Sequence, residues 1–250
     1  MKFEIITLFP DYFVQSLKQS LLGKAVADGL VEFEIVDLRK FATDKHRTVD
    51  DTPFGGGGGM VLKIEPLDKC LASLGYEHKV NAEKSDGSRI VLTSAAGETF
   101  NQRKAIEYSG CQRLTIICGH YLGIDERLSE LYNVDEISIG DYVLTGGEPA
   151  ATVMIDAVAR LLPKVLGNFQ SALGDSFMDQ ITGTPVYTRP AEYEGLSVPS
   201  ELLSGNHEEL KKFRKRAAIL KCSKNRPDLL RNLEISEEDL ELLKNVKSEK

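Results

Sequence analysis

The chain has 250 residues, 42% hydrophobic and 28% charged, which excludes a disordered polymer and allows one large domain or one domain plus a small one. A net charge of −7 excludes nucleic-acid binding by the surface as a whole, since phosphate would be repelled, but leaves room for a local basic patch. The opening MKFEIITLFPDYF meets Asp11 too early for a signal peptide, and no run of about 18 apolar residues can cross a bilayer, so a cytoplasmic location is expected.

In chain order, Lys2–Phe9 alternates and is β-branched, which predicts a strand. Phe13, Leu17, Leu21 and Ala25 recur at helical spacing, so one helix is predicted over Asp11–Asp28, closed by Gly29. Val31–Leu38 reads as a second strand. Arg39 to Met60 lacks periodicity and ends in five glycines, Gly55 to Gly59; a stretch of that length inside a compact domain is usually functional. A helix follows over Ile64–Leu74, then a polar loop from Tyr76 to Ser88. Strands are predicted at Arg89–Thr93, Leu114–Cys118 and Glu136–Ile139, with helices near Asn101–Tyr108 and Asp125–Tyr132 and a long apolar one over Pro149–Leu162. This alternation predicts an α/β fold with a mainly parallel sheet covered on both faces.

After Pro163 the pattern changes. Residues 164–185 are rich in Gly, Ser and Asp and read as a linker. From Val198 onward the signals are helical: Glu208–Lys221, a short piece after Pro227, and Ser236–Val246 with Ser236 as N-cap. Between Lys211 and Arg231 stand nine basic residues against the single acid Asp228, a natural phosphate track within an acidic chain. The expected organisation is thus 1–163, a linker 164–185, and a small helical domain 186–250.

Three loops follow strands: TSAAGE (Thr93 to Glu98), CGHYLGIDER (Cys118 to Arg127) and SIGDYVLTGGE (Ser138 to Glu148). In open parallel sheets ligands bind at those carboxyl ends, and the glycines allow close backbone approach. Other chemistries lack their equipment. No G-x-G-x-x-G follows the first strand, no Gly-Lys-Ser/Thr follows the glycine run, and no G-x-S-x-G occurs. Cys70, Cys111, Cys118 and Cys222 lack C-x-x-C spacing and do not pair with His46, His78, His120 or His207 at metal distance, so reduced, buried thiols are expected.

Several blocks carry a family resemblance. HRTVDDTPFGGGGGM (His46 to Met60) resembles the pattern HRTVDDxPYGGGxGM. CGHYLGIDER, SIGDYVLTGGE, IDAVARLLP, Asp175-Ser176-Phe177, YTRP (Tyr187 to Pro190) and LLSGNH (Leu202 to His207) are similar to further blocks of the bacterial tRNA (guanine-N1)-methyltransferases, in the same order and across about residues 1 to 230. The resemblance implies a SPOUT-like fold, with a deep trefoil knot in the C-terminal half of the first domain, a rare exception to unthreaded connections. It implies S-adenosylmethionine as methyl donor, tRNA as substrate, guanosine 37 beside the anticodon as target, and a homodimer with active sites between subunits.

It also implies residue roles. Asp175 matches the family's base and Arg160 its catalytic arginine. Ser94, Gly119, Tyr121, Gly123, Ile139, Gly140, Asp141, Tyr142, Val143, Leu144, Gly146 and Gly147 would hold the cofactor, largely through main-chain groups. For tRNA the candidates are Asp50, His46, Arg47, Gly59, Ser171, Asn206, His207, Lys211, Arg214 and Arg226. The chemistry requires such a set: guanine N1 carries a proton at neutral pH, so it needs a base at N1, a positive group near O6 and an in-line approach to an electrophilic methyl.

The chain departs from the pattern CGRYEG by His120 and Leu122, from Ser-Pro-Gln-Gly by Ser94-Ala95-Ala96-Gly97, and from Pro by Gly58; Gly174 replaces a Glu that commonly precedes the base. Leu122 cannot act as the family's Glu toward the cofactor's charged end or a magnesium ion, so altered cofactor affinity is expected and magnesium is left as a possible cofactor that this position disfavours. Two competing readings are a non-catalytic RNA-binding protein that keeps the fold, and a knotted methyltransferase acting on ribosomal RNA, which HRTVDD and the C-terminal domain disfavour.

Overall fold

A computed structural model describes residues 1–81, 87–167, 176–178 and 182–232. The chain divides into two compact units, Met1–Gly167 and Asn168–Lys250.

The first unit is built on β1 (Lys2–Thr7), β2 (Glu32–Asp37), β5 (Ser88–Thr99), β6 (Arg113–Cys118) and β7 (Val134–Ser138). They form one sheet in the order β2-β1-β6-β5-β7, with every neighbouring pair parallel. The central strands read as near-continuous apolar runs because both faces are covered. One face carries Phe3, Ile5, Val91, Leu114, Ile116 and Ile137, packed against α1 (Asp11–Ser16), α2 (Ser20–Ala27), α4 (Gln102–Ser109) and α6 (Glu148–Ala159). The other carries Ile6, Ile90, Leu92 and Ile117, under α3 (Ile64–Ser73) and α5 (Arg127–Leu131). The period-two alternation of side chains along each strand makes this division. Two short strands, β3 (Asp50–Asp51) and β4 (Val61–Leu62), pair antiparallel as a hairpin around the glycine run.

Two expectations are corrected. The single helix over Asp11–Asp28 is two helices, with Leu17 to Gln19 between them and Ser20 at φ +52°. Apolar spacing continues through the break, since Phe13, Leu17, Leu22 and Ala25 are all buried, so periodicity alone could not reveal it. The strand expected to end at Thr93 runs to Thr99, because Thr93 and Glu98 both pair with Ile137 and residues 94–97 loop out between them. Gly97 lies hard against the neighbouring strand, where a Cβ would sit 2.5 Å from the Glu136 carbonyl.

α6 is apolar on nearly every side, as a buried helix should be: Ala150, Ala151, Met154, Ile155, Val158 and Ala159 are all buried. Cys70 and Cys118 are buried beside the sheet, which pushes the Cys70 thiol up to about 12 and raises Cys118 as well; the four described cysteines are free thiols.

In the second unit, β8 (Glu192–Tyr193) and β9 (Leu196–Ser197) form a small hairpin, followed by α7 (Ser200–Leu203), α8 (His207–Asn225) and a 3₁₀ turn over Pro227–Asn232. α8 begins where Asn206 accepts from the backbone of Glu208 and Glu209, with both acids in the first turn. The helix expected over Ser236–Val246 lies outside the described residues. No helix among the described residues is long and apolar enough to cross a membrane.

Candidate active site

The excursion of β5 at residues 94–97 and the glycine-bearing loops after β6 and β7 come together at one edge of the sheet, where they line a cleft of about 460 Å³. Its size lies within the usual range for small-molecule sites, roughly 300–1,000 Å³. The walls are tied together by a short chain of hydrogen bonds. The Thr93 hydroxyl donates to the Ile117 carbonyl (3.2 Å) and accepts from the Gly119 amide (2.9 Å). The Gly147 amide donates to the Gly119 carbonyl at 2.8 Å. Ser138 Oγ accepts from the Gly140 amide, and the Tyr142 hydroxyl donates to the Ile139 carbonyl, so the third loop folds back on itself.

The glycines here are required by space. A Cβ on Gly119 would meet the Thr93 carbonyl oxygen at 2.5 Å, and one on Gly147 would overlap Thr93 Oγ1 and reach the Gly119 nitrogen at 2.7 Å. Gly147 has φ −81°, so its conformation would suit any residue and only the packing forbids one. Gly140 combines φ +149° with the Tyr142 ring 2.6 Å from its missing Cβ.

Below the cleft the Thr7 hydroxyl donates to buried Glu148 Oε1 at 2.7 Å and accepts from the Phe9 amide. Both Glu148 Oε2 and His120 Nδ1 face Gly146, 2.5 and 2.8 Å from where its Cβ would stand. Nδ1 is buried and without a hydrogen-bond partner among the described residues, and the ring is held edge-on by Phe9 and Tyr121. Tyr121 itself is at φ +59°.

The placement of each expected residue follows. Ser94, Gly119, Tyr121, Gly123, Ile139, Gly140, Tyr142, Val143, Leu144, Gly146 and Gly147 line the cleft; Asp141 does not. Arg160 is the C-cap of α6, its amide donating to the Asp156 carbonyl. Asp175 and Ser171 lie outside the described residues. Asp50 sits in β3 and Gly59 in the hairpin loop. His46 and Arg47 belong to a turn organised by Asp44, which accepts from the backbone of His46 and Thr48 and from the Thr48 hydroxyl; that hydroxyl holds the Asp44 carboxyl below its usual range. Asn206 is a helix cap, His207, Lys211 and Arg214 lie on α8, and Arg226 makes a two-point ion pair with Asp228 (2.7 Å), which offsets its charge.

Sequence reasoning missed three features. Thr93 and Glu148, the hubs of the cleft's hydrogen bonds, are an ordinary strand threonine and helix glutamate in sequence, and no spacing marks them. Leu122 does more than replace a carboxylate. Its amide donates to the Met60 carbonyl, its side chain occupies the space beside Gly59, and Leu62 bridges in parallel to Ile124, so the root of the glycine hairpin is joined to the cleft wall.

Comparison with known proteins agrees with this architecture. The sequence model described as tRNA (Guanine-1)-methyltransferase TrmD matches residues 1–232. A tRNA (guanine-N(1)-)-methyltransferase of Geotalea uraniireducens is 49% identical over 247 residues, 98% of this chain and 97% of the relative. Proteins of the same name from Limosilactobacillus fermentum and Geobacter sulfurreducens are 46% and 48% identical, over 99% and 97% of this chain and 96% of each relative. With the cleft at the carboxyl edge of its parallel sheet, a match over 232 residues and near-complete relatives approaching half identity, the chain belongs to the tRNA (guanine-1)-methyltransferase family.

Proposed function

We propose that this chain transfers a methyl group from S-adenosylmethionine to N1 of guanosine 37 in tRNA. The observation that carries the reading is the cleft of backbone-packed glycines formed by the β5 excursion and the loops after β6 and β7, in a chain of this family. Main-chain walls suit a donor with a nucleoside at one end and an amino acid at the other. Exposed Glu126 and Glu136 at the rim favour its positive charges. Bound there, the donor's sulfonium supplies an electrophilic methyl carbon.

The protein's part is to prepare the nucleophile. Asp175 accepts the N1 proton, Arg160 offsets the negative charge that develops at O6, and the ring nitrogen's electron pair takes the methyl as the carbon–sulfur bond breaks. The loops would hold the donor and keep water from it, so approach can be in line. Asp50, the glycine hairpin, and the basic side of α8 at Lys211 and Arg214 receive the anticodon stem and loop through phosphate and close backbone contact. The domains run 1–163 and 186–250 with a linker over 164–185. The chain threads itself into a trefoil knot at the cleft, and two copies assemble so that the linker of one serves the cleft of the other.

The test is methyl transfer from labelled cofactor to unmodified tRNA, followed by mapping of the modified base. Label is expected at N1 of guanosine 37; its absence there rejects the reading. Asp175→Ala should cut turnover by about 10²–10⁴-fold while tRNA binding persists. A non-catalytic RNA-binding protein would bind equally well before and after that change and transfer nothing in either case.

A further inference from the structure

The glycine hairpin carries a side chain that no role above uses. Phe54 is 102% exposed, the most exposed large apolar residue described, and it stands directly before Gly55. Gly55, Gly56 and Gly57 have φ of +87°, +80° and +112°, and a Cβ at any of them would meet nothing within 4 Å. The phenyl ring therefore tops a loop with no packing of its own, next to backbone that a polyanion can approach closely. The other end of the loop is fixed: Gly59 lies against Leu122, and Met60 and Leu62 bond to the cleft wall. Gly59 follows Phe54 by five positions, so the ring's backbone stays within roughly 18 Å of the cleft wall.

A solitary phenyl amid glycines is a poor protein-docking surface, which needs a contiguous apolar patch. Its two flat faces match a different partner, the planar ring of an unstacked base, and single-stranded loops present such bases. We propose that Phe54 is a stacking platform for a nucleobase of the same single-stranded RNA loop that holds the target guanine. The inference rests on the tRNA reading above and adds a binding contact to it.

The chain contains no tryptophan, so Phe54→Trp places a lone indole at the tip as a direct reporter. Unmodified tRNA is titrated into wild type, Phe54→Ala, Phe54→Leu and Phe54→Trp, with Kd, KM for tRNA, cofactor Kd and melting temperature read for each. Stacking predicts a rise of about 5- to 150-fold in Kd and KM for tRNA with Ala and with Leu, since Leu is apolar but has no π face. Cofactor Kd and melting temperature stay as in wild type, and Phe54→Trp binds tRNA as well as wild type. The indole emission is quenched by tRNA and unchanged by cofactor alone. Wild-type tRNA affinity in Phe54→Ala or Phe54→Leu, or indole emission indifferent to saturating tRNA, overturns the proposal while leaving methyl transfer by the wild type intact. Quenching and weakened tRNA binding in a protein that transfers no methyl would support the platform and reject the enzyme.

Discussion

The cleft and the hairpin are both rich in glycine, for opposite reasons. At Gly119 and Gly147 a single methyl would run into the main chain of a neighbouring strand or loop, whereas at Gly55 to Gly58 it would touch nothing. In the cleft, glycine allows backbone to pack on backbone and makes a rigid wall whose amides are fixed in place. In the hairpin it removes side chains from a loop that keeps its freedom, at the entropic cost glycine carries. Glycine content therefore does not tell a packed site from an open one; the space around each Cα does. The two regions meet at Leu122 and Leu62, where the open loop is rooted in the packed wall.

The sharpest test of this contrast is Gly147→Ala. The residue's φ of −81° suits alanine, so any loss comes from overlap with Thr93 and Gly119. A destabilisation of about 3 kcal/mol or more is expected in urea unfolding, with cofactor binding lost. A change under about 1 kcal/mol would break the claim that the wall is packed solid. Next comes Thr7→Val, which removes the donor to buried Glu148 and leaves its oxygen unpaired under the cleft. About 1–3 kcal/mol should be lost. Thr7→Ser, which keeps the hydroxyl, should recover much of it.

The hairpin should answer in the other direction. Gly58→Ala, in open space and without a positive φ, should leave stability unchanged or raise it by up to about 1 kcal/mol through the unfolded chain. Its effect should appear instead in KM for tRNA, because the loop loses freedom to adapt. A destabilisation like that of Gly147→Ala would erase the distinction between the two regions.

The smallest effect concerns the root. Asp125 donates its amide to the Leu62 carbonyl, and its carboxyl is held below the usual aspartate range by the Arg127 side chain, at 2.6 and 2.8 Å, against a weaker opposing effect of burial. A carboxyl lowered on folding contributes stability in full above its unfolded value near 3.8, and loses it as pH falls through the folded value. Arg127 is solvent-exposed while Asp125 is only partly covered, so water and salt screen the pair and the contribution is small. Thermal unfolding of wild type and Asp125→Asn should differ slightly near neutral pH and converge in strong acid. A gap that widens with acid would reverse the assignment.

Much of this architecture is legible in the sequence itself. β-branched runs locate four of the five sheet strands to within two residues and the start of β5, and helical spacing locates α3, α4 and α6. The strand-following loops point to the cleft, because in a parallel sheet the carboxyl ends share one edge whatever the strand order. Local patterns are read from neighbours in sequence, so they survive without knowledge of distant partners. They fail at Leu17 to Gln19, where the buried stripe runs on through a broken helix, and at Thr93, where the strand resumes after a four-residue excursion.

Composition, periodicity and motif order thus determined the fold class, the sheet edge that carries the cleft, and the family. Only the tertiary structure decided that β1 lies between β2 and β6, that Thr93 bonds Gly119, that Thr7 meets Glu148 across 141 positions, and that Leu122 fills the space beside Gly59. Such facts depend on which distant segments come within hydrogen-bond or van der Waals range. That is set by the packing of the whole core, and no window of sequence contains it.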